Sequence, residues 1–194
     1  MSFAALILAA GTSRRMGSAN KLLLDLNGMP LVAHVLHAVR KSRVQEICVV
    51  LGHEAGRVRA ALEDYSGPSF RFVMNPDFES GLASSLTCGL EYLAGAYDGV
   101  AVCLGDMPFL GTGVIDALCE ALLPGDYAAV PVHEGQWGNP VVLSPEAVRD
   151  AMALTGDRGA RALLVRQKAR VREVAVSCGG VLRDIDRERD LGLS

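Results

Sequence analysis

Leu6-Ile-Leu-Ala-Ala-Gly-Thr-Ser-Arg-Arg-Met-Gly17 carries the reading of this 194-residue chain. An apolar run long enough for a buried strand passes straight into a small loop marked by Gly11 and Gly17 and bearing Arg14 and Arg15, with Lys21 following. Backbone N–H groups in such a loop can converge on phosphate oxygens, and the cations can neutralise the charge that remains. Two better-known phosphate loops are excluded. Five residues separate Gly11 from Gly17 where a P-loop has four, and Ser18-Ala19 stand where it has Lys and Ser or Thr. The dinucleotide pattern needs another glycine between these two, and none is there.

Outward from this stretch, Phe3 to Ala9, Glu46 to Leu51, Gly99 to Leu104 and Tyr127 to Val132 read as continuous apolar strands, with a weaker one from Phe70 to Met74. Continuous rather than alternating hydrophobicity means both faces are covered, as in a parallel sheet between helices. Helical spacing fills the gaps. Leu31, Val32, Val35, Leu36 and Val39 share a face after Pro30, and Val114, Ile115, Leu118, Cys119 and Leu122 repeat the pattern up to Pro124-Gly125. Further helices are expected over Glu54 to Glu63, Leu82 to Ala94 and Arg158 to Gln167, and a short strand from Val141. Alternating strands and helices predict one three-layer α/β/α domain over residues 1–194 with a mainly parallel central sheet. Ligands of such sheets sit beyond the carboxyl ends of the strands, here the loops after Ala9, Leu51, Met74 and Leu104.

Composition narrows the partners. Half the residues are apolar, 21 % are charged and the formal charge is −3, so no general basic surface supports nucleic-acid binding and anions must be met by local cation clusters. No apolar run approaches the ~20 residues of a membrane span, and the apolar start lacks the basic flank of a signal peptide, so a cytoplasmic protein is expected. Cys48, Cys88, Cys103, Cys119 and Cys178 are odd in number and never paired at metal spacing, and they read as reduced packing residues.

Leu104-Gly-Asp-Met-Pro108 places a carboxylate just past a buried strand. Opposite the cationic loop, Asp106 is suited to hold Mg²⁺, which prefers oxygen ligands and shares its shell with phosphates; a helix cap near Gly111 or a turn is the structural alternative. Asp184-Ile-Asp186 puts two carboxylates on one side of an extended segment, either converging on a metal or, for Asp186, capping a last short helix. From Asn75 to Leu86, small residues Gly81, Ser84 and Ser85 leave room for a base or ribose near a helix start, with N-capping by Ser80 the alternative. Trp137 to Val141 and Gly156 to Arg161 could line a second pocket for an anionic co-substrate, Arg158 and Arg161 lying at an expected helix start. His34 and His37 lack a third ligand nearby and read as solvated helix residues.

Together these elements resemble the nucleotidyltransferases that attach nucleotides to molybdopterin, and more closely the molybdenum cofactor cytidylyltransferase group. The matching stretches are Leu8 to Gly17 with Lys21, Asn75-Pro-Asp with Gly81 and Ser84-Ser-Leu86, Gly105-Asp-Met-Pro108, Gly138-Asn-Pro-Val141, Gly156 to Arg161 and Asp184-Ile-Asp186. The resemblance implies a Rossmann-like nucleotidyltransferase fold and transfer of a nucleotide from a triphosphate to the terminal phosphate of molybdopterin or its metal-bearing form, releasing pyrophosphate. By the same resemblance Leu8, Ala9, Ala10, Gly11, Thr12, Ser13 and Arg14 hold the nucleotide, with Arg15 and Lys21 on its phosphates. Asp106 and Asp186 bind Mg²⁺, Asn75, Gly81, Ser84 and Ser85 approach base and ribose, and Arg161 faces the pterin. A Leu-Ala-Ala-Gly start goes with cytidine in the resembling group, so CTP is expected before GTP, and a molybdoenzyme or its chaperone is the implied recipient. Three residues separate Gly17 from Lys21 where many relatives have two, and Asn139 stands where a histidine is common. Transfer to a sugar or polyol phosphate, and a non-catalytic protein that delivers the cofactor, are the competing expectations.

Overall fold

Seven apolar residues, Phe3–Ala9, form β1, and every one of them is buried. In this computed structural model, which describes residues 1–13, 20–65, 67, 69–187 and 190, β1 lies near the middle of an eight-stranded sheet. It runs parallel to β4 (Glu46–Leu51) on one side and β6 (Gly99–Leu104) on the other, with Leu6 opposite both Cys48 and Val102. β5 (Phe70–Met74) continues the sheet beyond β4. On the far side come β9 (Val141–Leu143), β7 (Ala128–His133) and β10 (Val171–Ala175), with β8 (Gln136–Trp137) on β7. β9 is antiparallel to both β6 and β7, so the sheet is parallel except for β9 and β8.

Successive residues of β1 point to opposite faces, as the pleat requires. Phe3, Ala5, Ile7 and Ala9 join one buried cluster and Ala4, Leu6, Leu8 and Ala10 the other. The first cluster is covered by α1 (Leu31–Arg40), α2 (Ala55–Glu63) and α4 (Thr112–Ala121), and the second by α3 (Leu82–Leu93), α5 (Pro145–Ala151) and α6 (Arg161–Arg166). The expected three-layer α/β/α order is therefore present. Among the described residues no helix is long and apolar enough to cross a membrane. The five cysteines are free, and burial pushes the Cys48, Cys103 and Cys119 thiols up to about 12, as packing residues require.

Besides the edge strands β8 and β10, local features depart from the sequence-based expectation. α6 starts at Arg161 rather than Arg158, because Gly156 adopts φ +69° and its carbonyl accepts the Ala83 N–H at 3.0 Å, holding the preceding residues as a loop against α3. α5 was marked by signals the hydrophobic pattern hides: Ser144 caps Ala147 N–H at 3.3 Å, Pro145 opens the helix and Glu146 lies in its first turn. The hairpin β2 (Asp25–Leu26) and β3 (Met29–Pro30) turns on Asn27-Gly28, both at positive φ, the dipeptide favoured in two-residue turns. His34 Nε2 lies 2.8 Å from the Leu26 carbonyl, which ties α1 to this hairpin.

At the opposite end of the sheet from the loops of interest, Tyr127 is fully buried and its hydroxyl donates to Asp150 Oδ2 at 2.8 Å. Burial, then the Asp150 bond, raises the phenol far above its usual range. Tyr127→Phe should lower stability by about 1 kcal/mol, the net worth of one such bond, measured by urea unfolding.

Candidate active site

The chain leaves β1 towards β4 and later returns on its other side as β6, so the ends of β1 and β6 frame the switch point at which open sheets bind ligands. Here Gly105 N–H donates to the Leu8 carbonyl at 3.0 Å, and a Cβ on Gly105 would stand 2.9 Å from that oxygen. Glycine thus lets the loop after β6 close onto the loop after β1. Asp106 is delivered to the cleft by this contact. It caps no helix, since α4 begins after Gly111 without a side-chain cap.

Lys21 enters from the other loop. Its N–H donates to Ser13 Oγ at 3.1 Å, and Asn20 Oδ1 accepts from Leu22 N–H at 3.1 Å to open the 3₁₀ turn Lys21–Leu23. The ammonium donates to Asp106 Oδ2 at 2.6 Å and to Asp186 Oδ1 at 3.2 Å. Burial alone would push this lysine down, but the Asp106 charge and hydrogen bond, with a lesser part from Asp186, hold it above its usual range. Asp186 arrives because Ile185 N–H donates to the Asp106 carbonyl at 2.9 Å while the Ile185 side chain is buried with Leu26 and Leu31. Of the two carboxylates expected to converge, Asp186 lines the cleft and Asp184 is exposed.

The cleft is a cavity of about 500 Å³. Leu8, Ala10, Gly11, Thr12, Ser13, Lys21, Gly81, Ser85, Asp106 and Asp186 line it, ten of the residues read from the sequence. Ala9 faces the opposite core cluster. Asn75 is buried, its amide donating to the Ser84 and Ser85 hydroxyls at 3.0 Å each, so it braces the wall. The Ser84 hydroxyl shares its one proton between the Asp77 and Gly81 carbonyls, each at 2.9 Å, and the Ser80 hydroxyl donates to the Asp77 carbonyl rather than capping α3. Arg14 and Arg15 lie outside the described residues.

Other residues line the cleft without a sequence signal for that role. Leu22, Phe78, Glu79, Ser80, Leu82, Leu104, Gly156 and Asp157 complete the cavity. Phe78 reaches it because Gly52 has no side chain: a Cβ there would meet Phe78 Cβ at 2.6 Å and Ala10 Cβ at 2.8 Å. Gly81, at φ +117°, packs where a Cβ would meet the Gly156 backbone and Asp157. No periodic pattern announces such close approaches between distant loops.

A second cavity of about 200 Å³ meets the first at Leu8, Leu82 and Leu104. Val102, Val130, Leu86 and Leu164 make it mainly apolar, and Trp137, Gly138, Asn139 and Arg161 stand at its polar side. The Arg161 guanidinium donates to the Trp137 carbonyl at 3.1 Å. The segment from Gly156 to Arg161 divides the two cavities, with Gly156 and Asp157 in the first and Gly159 to Arg161 in the second.

Among the described residues no three His, Cys, Asp or Glu side chains form a self-sufficient metal cage. A divalent cation nevertheless fits the donor set. Asp106 Oδ1 is buried without a hydrogen-bond partner, and Asp186 is the second oxygen donor nearby. Ions such as Mg²⁺ bind through one or two carboxylates plus substrate phosphates.

A switch-point cleft with two carboxylates and an ammonium at the end of a mainly parallel sheet suits a phosphate-bearing ligand with a divalent cation. Residues 5–171 match the family described as the MobA-like NTP transferase domain, and the chain belongs to that family. It is 36 % identical over 172 residues to the bifunctional protein GlmU of Kineococcus radiotolerans, covering 84 % of this chain and 34 % of that protein. The chain therefore spans about a third of the length of that curated relative. Among solved structures it is similar to Rv0371c of Mycobacterium tuberculosis H37Rv, with a TM-score of 0.85, 27 % identity and coverage of 98 % and 95 % of the two chains. A manganese complex of Rv0371c matches with a TM-score of 0.81 and 25 % identity, covering 98 % and 96 %. A nucleotidyl transferase from Methanothermobacter shares the fold, with a TM-score of 0.83, 24 % identity and coverage of 97 % and 94 %.

Proposed function

We propose that residues 1–194 act as one catalytic domain, in the cytoplasm, transferring CMP from CTP to the terminal phosphate of molybdopterin or its metal-bearing form. The observation that carries this reading is the meeting of two unlike cavities: one of about 500 Å³ holding Lys21, Asp106 and Asp186, and a mainly apolar one of about 200 Å³. A triphosphate suits the first and a flat heterocycle the second, which would direct the acceptor phosphate into the first cavity toward Lys21 and Asp106.

An oxygen of the acceptor phosphate attacks the α-phosphorus, and the bond to pyrophosphate breaks. Little covalent help is needed from the protein, which must align two anions and offset their charge. Mg²⁺ held by Asp106 and Asp186 would supply Lewis acidity and charge neutralisation, and the existence of a manganese complex of the similar Rv0371c is in keeping with use of a divalent ion. Leu8, Ala10, Gly11, Thr12, Ser13 and Arg14 hold the nucleotide, with Arg15 and Lys21 on its phosphates, while Gly81 and Ser85, braced by Asn75 and Ser84, approach base and ribose. Ala9 supports the loop from beneath. Ala10 bounds the nucleotide cavity beside Gly52 and Phe78, which favours the smaller cytosine ring over guanine. Arg161 receives the anionic acceptor, and a molybdoenzyme or its chaperone takes the product.

The likeness to GlmU favours a second reading, with a sugar phosphate as acceptor. A sugar carries hydroxyls all round its ring, whereas a flat heterocycle would offer its faces to apolar walls such as Val102, Val130 and Leu164 and keep its polar edge for Trp137, Asn139 and Arg161. Pyrophosphate release with Mg²⁺, CTP or GTP, and either molybdopterin or a hexose 1-phosphate tests both. Turnover with molybdopterin and CTP is expected. Turnover with the hexose phosphate alone would replace the acceptor, and CTP binding without pyrophosphate from any triphosphate would leave cofactor delivery. Arg161→Ala should raise KM for the acceptor about tenfold, the loss of one charged hydrogen bond, with KM for CTP unchanged.

A further inference from the structure

The Lys21 ammonium sits between the two carboxylates that a divalent cation would need, 2.6 Å from Asp106 Oδ2 and 3.2 Å from Asp186 Oδ1. Lys21 and Asp106 are each only 16 % exposed, so solvent screens this pair weakly. One ammonium bridges the two carboxylates, and Asp106 Oδ1 remains buried without a partner. The backbone of Lys21 is pinned by Ser13, while its side chain has four carbons of reach. A fixed root, a long flexible arm and a carboxylate with one oxygen still unpartnered are the requirements of an exchangeable counter-ion.

We propose that Lys21 is a resident stand-in for the metal: entry of the divalent cation exchanges the ammonium out from between Asp106 and Asp186 and frees it for the triphosphate. This rests on reading the site as that of a metal-dependent nucleotidyltransferase. Metal alone must push the ammonium off its carboxylates, so it binds weakly. A triphosphate offers the displaced ammonium a new anion, and metal and nucleotide therefore favour each other's binding by the same factor, as linkage demands.

Mn²⁺ binding without nucleotide, followed by the electron paramagnetic resonance signal of the free ion, tests this directly. Lys21→Met keeps similar side-chain length without the charge, and should bind Mn²⁺ at least about 10-fold tighter than the wild type, since one adjacent opposite charge is worth a unit or more on a carboxylate. A non-hydrolysable CTP analogue should tighten Mn²⁺ binding more in the wild type than in this variant. Equal or weaker Mn²⁺ binding by Lys21→Met overturns the proposal. A second readout needs no variant: saturating Mg²⁺ should speed reductive methylation of Lys21 relative to the exposed Lys41 and Lys168, and an unchanged relative rate overturns it. Neither measurement uses turnover. A chain that transfers nucleotides with Lys21 fixed on its carboxylates would keep the functional reading and lose this one; ion exchange in a chain that never releases pyrophosphate would do the reverse.

Discussion

Asp106→Asn should lower pyrophosphate release by about 10³-fold, about 4 kcal/mol of transition-state stabilisation, the scale on which a preorganised electrostatic group acts. Asparagine keeps the shape and one oxygen, so the loop after β6 and its Gly105 contact with Leu8 remain. What disappears is the negative charge beside Lys21 and the oxygen that is buried without a partner. Nucleotide binding should persist in part, because the loop after β1 approaches the cavity independently of Asp106. The rise in melting temperature on adding Mg²⁺ should be lost with it, since only a ligand that still binds the folded state raises that temperature. A variant retaining more than a tenth of the wild-type rate would remove Asp106 from the reaction.

Gly180→Ala should be the most destabilising single methyl in the chain's closing segment. Gly180 lies in the 3₁₀ turn Gly179–Leu182, and a Cβ there would run into the Phe109 carbonyl. A second backbone approach lies next to it, since a Cβ on Gly138 would meet the Val181 carbonyl. Backbone cannot give way as a flexible side chain does, so the cost is put at about 3 kcal/mol, the upper end of overpacking. That lowers the melting temperature by ~6–12 °C for a domain of this size. Activity should fall as well, because this segment leads directly to Ile185 and Asp186. Gly113→Ala is the control. It lies in α4 with open space around a new Cβ, and alanine there should leave the melting temperature unchanged or higher.

Much of the scaffold is written in local pattern. β1, β4 and β6 coincide with their apolar runs because a strand buried on both faces has few polar residues to confuse its ends. β10 escaped notice because it is an edge strand, exposed at Arg172, Glu173 and Ala175, and so carries no continuous apolar signature. Within the cleft, Gly11, Gly81, Ser85 and Asp106 were legible as small or charged residues at strand ends. Phe78 was not, because an aromatic residue in a loop looks the same whether it fills core or lines a ligand cavity. The Gly52 contact that turns it inward comes from a different strand end.

By itself the sequence determined the alternation of strands and helices, the end of the sheet at which ligands gather, and the residue types waiting there. Those follow from periodicity and from the chemistry of single side chains. Only the tertiary structure decided that β9 lies between β6 and β7, and that Lys21 meets Asp106 and Asp186 across separations of 85 and 165 residues. Such pairings are made by packing, here the burial of Ile185 and the bond from its N–H to the Asp106 carbonyl, and packing depends on surfaces that no local window contains.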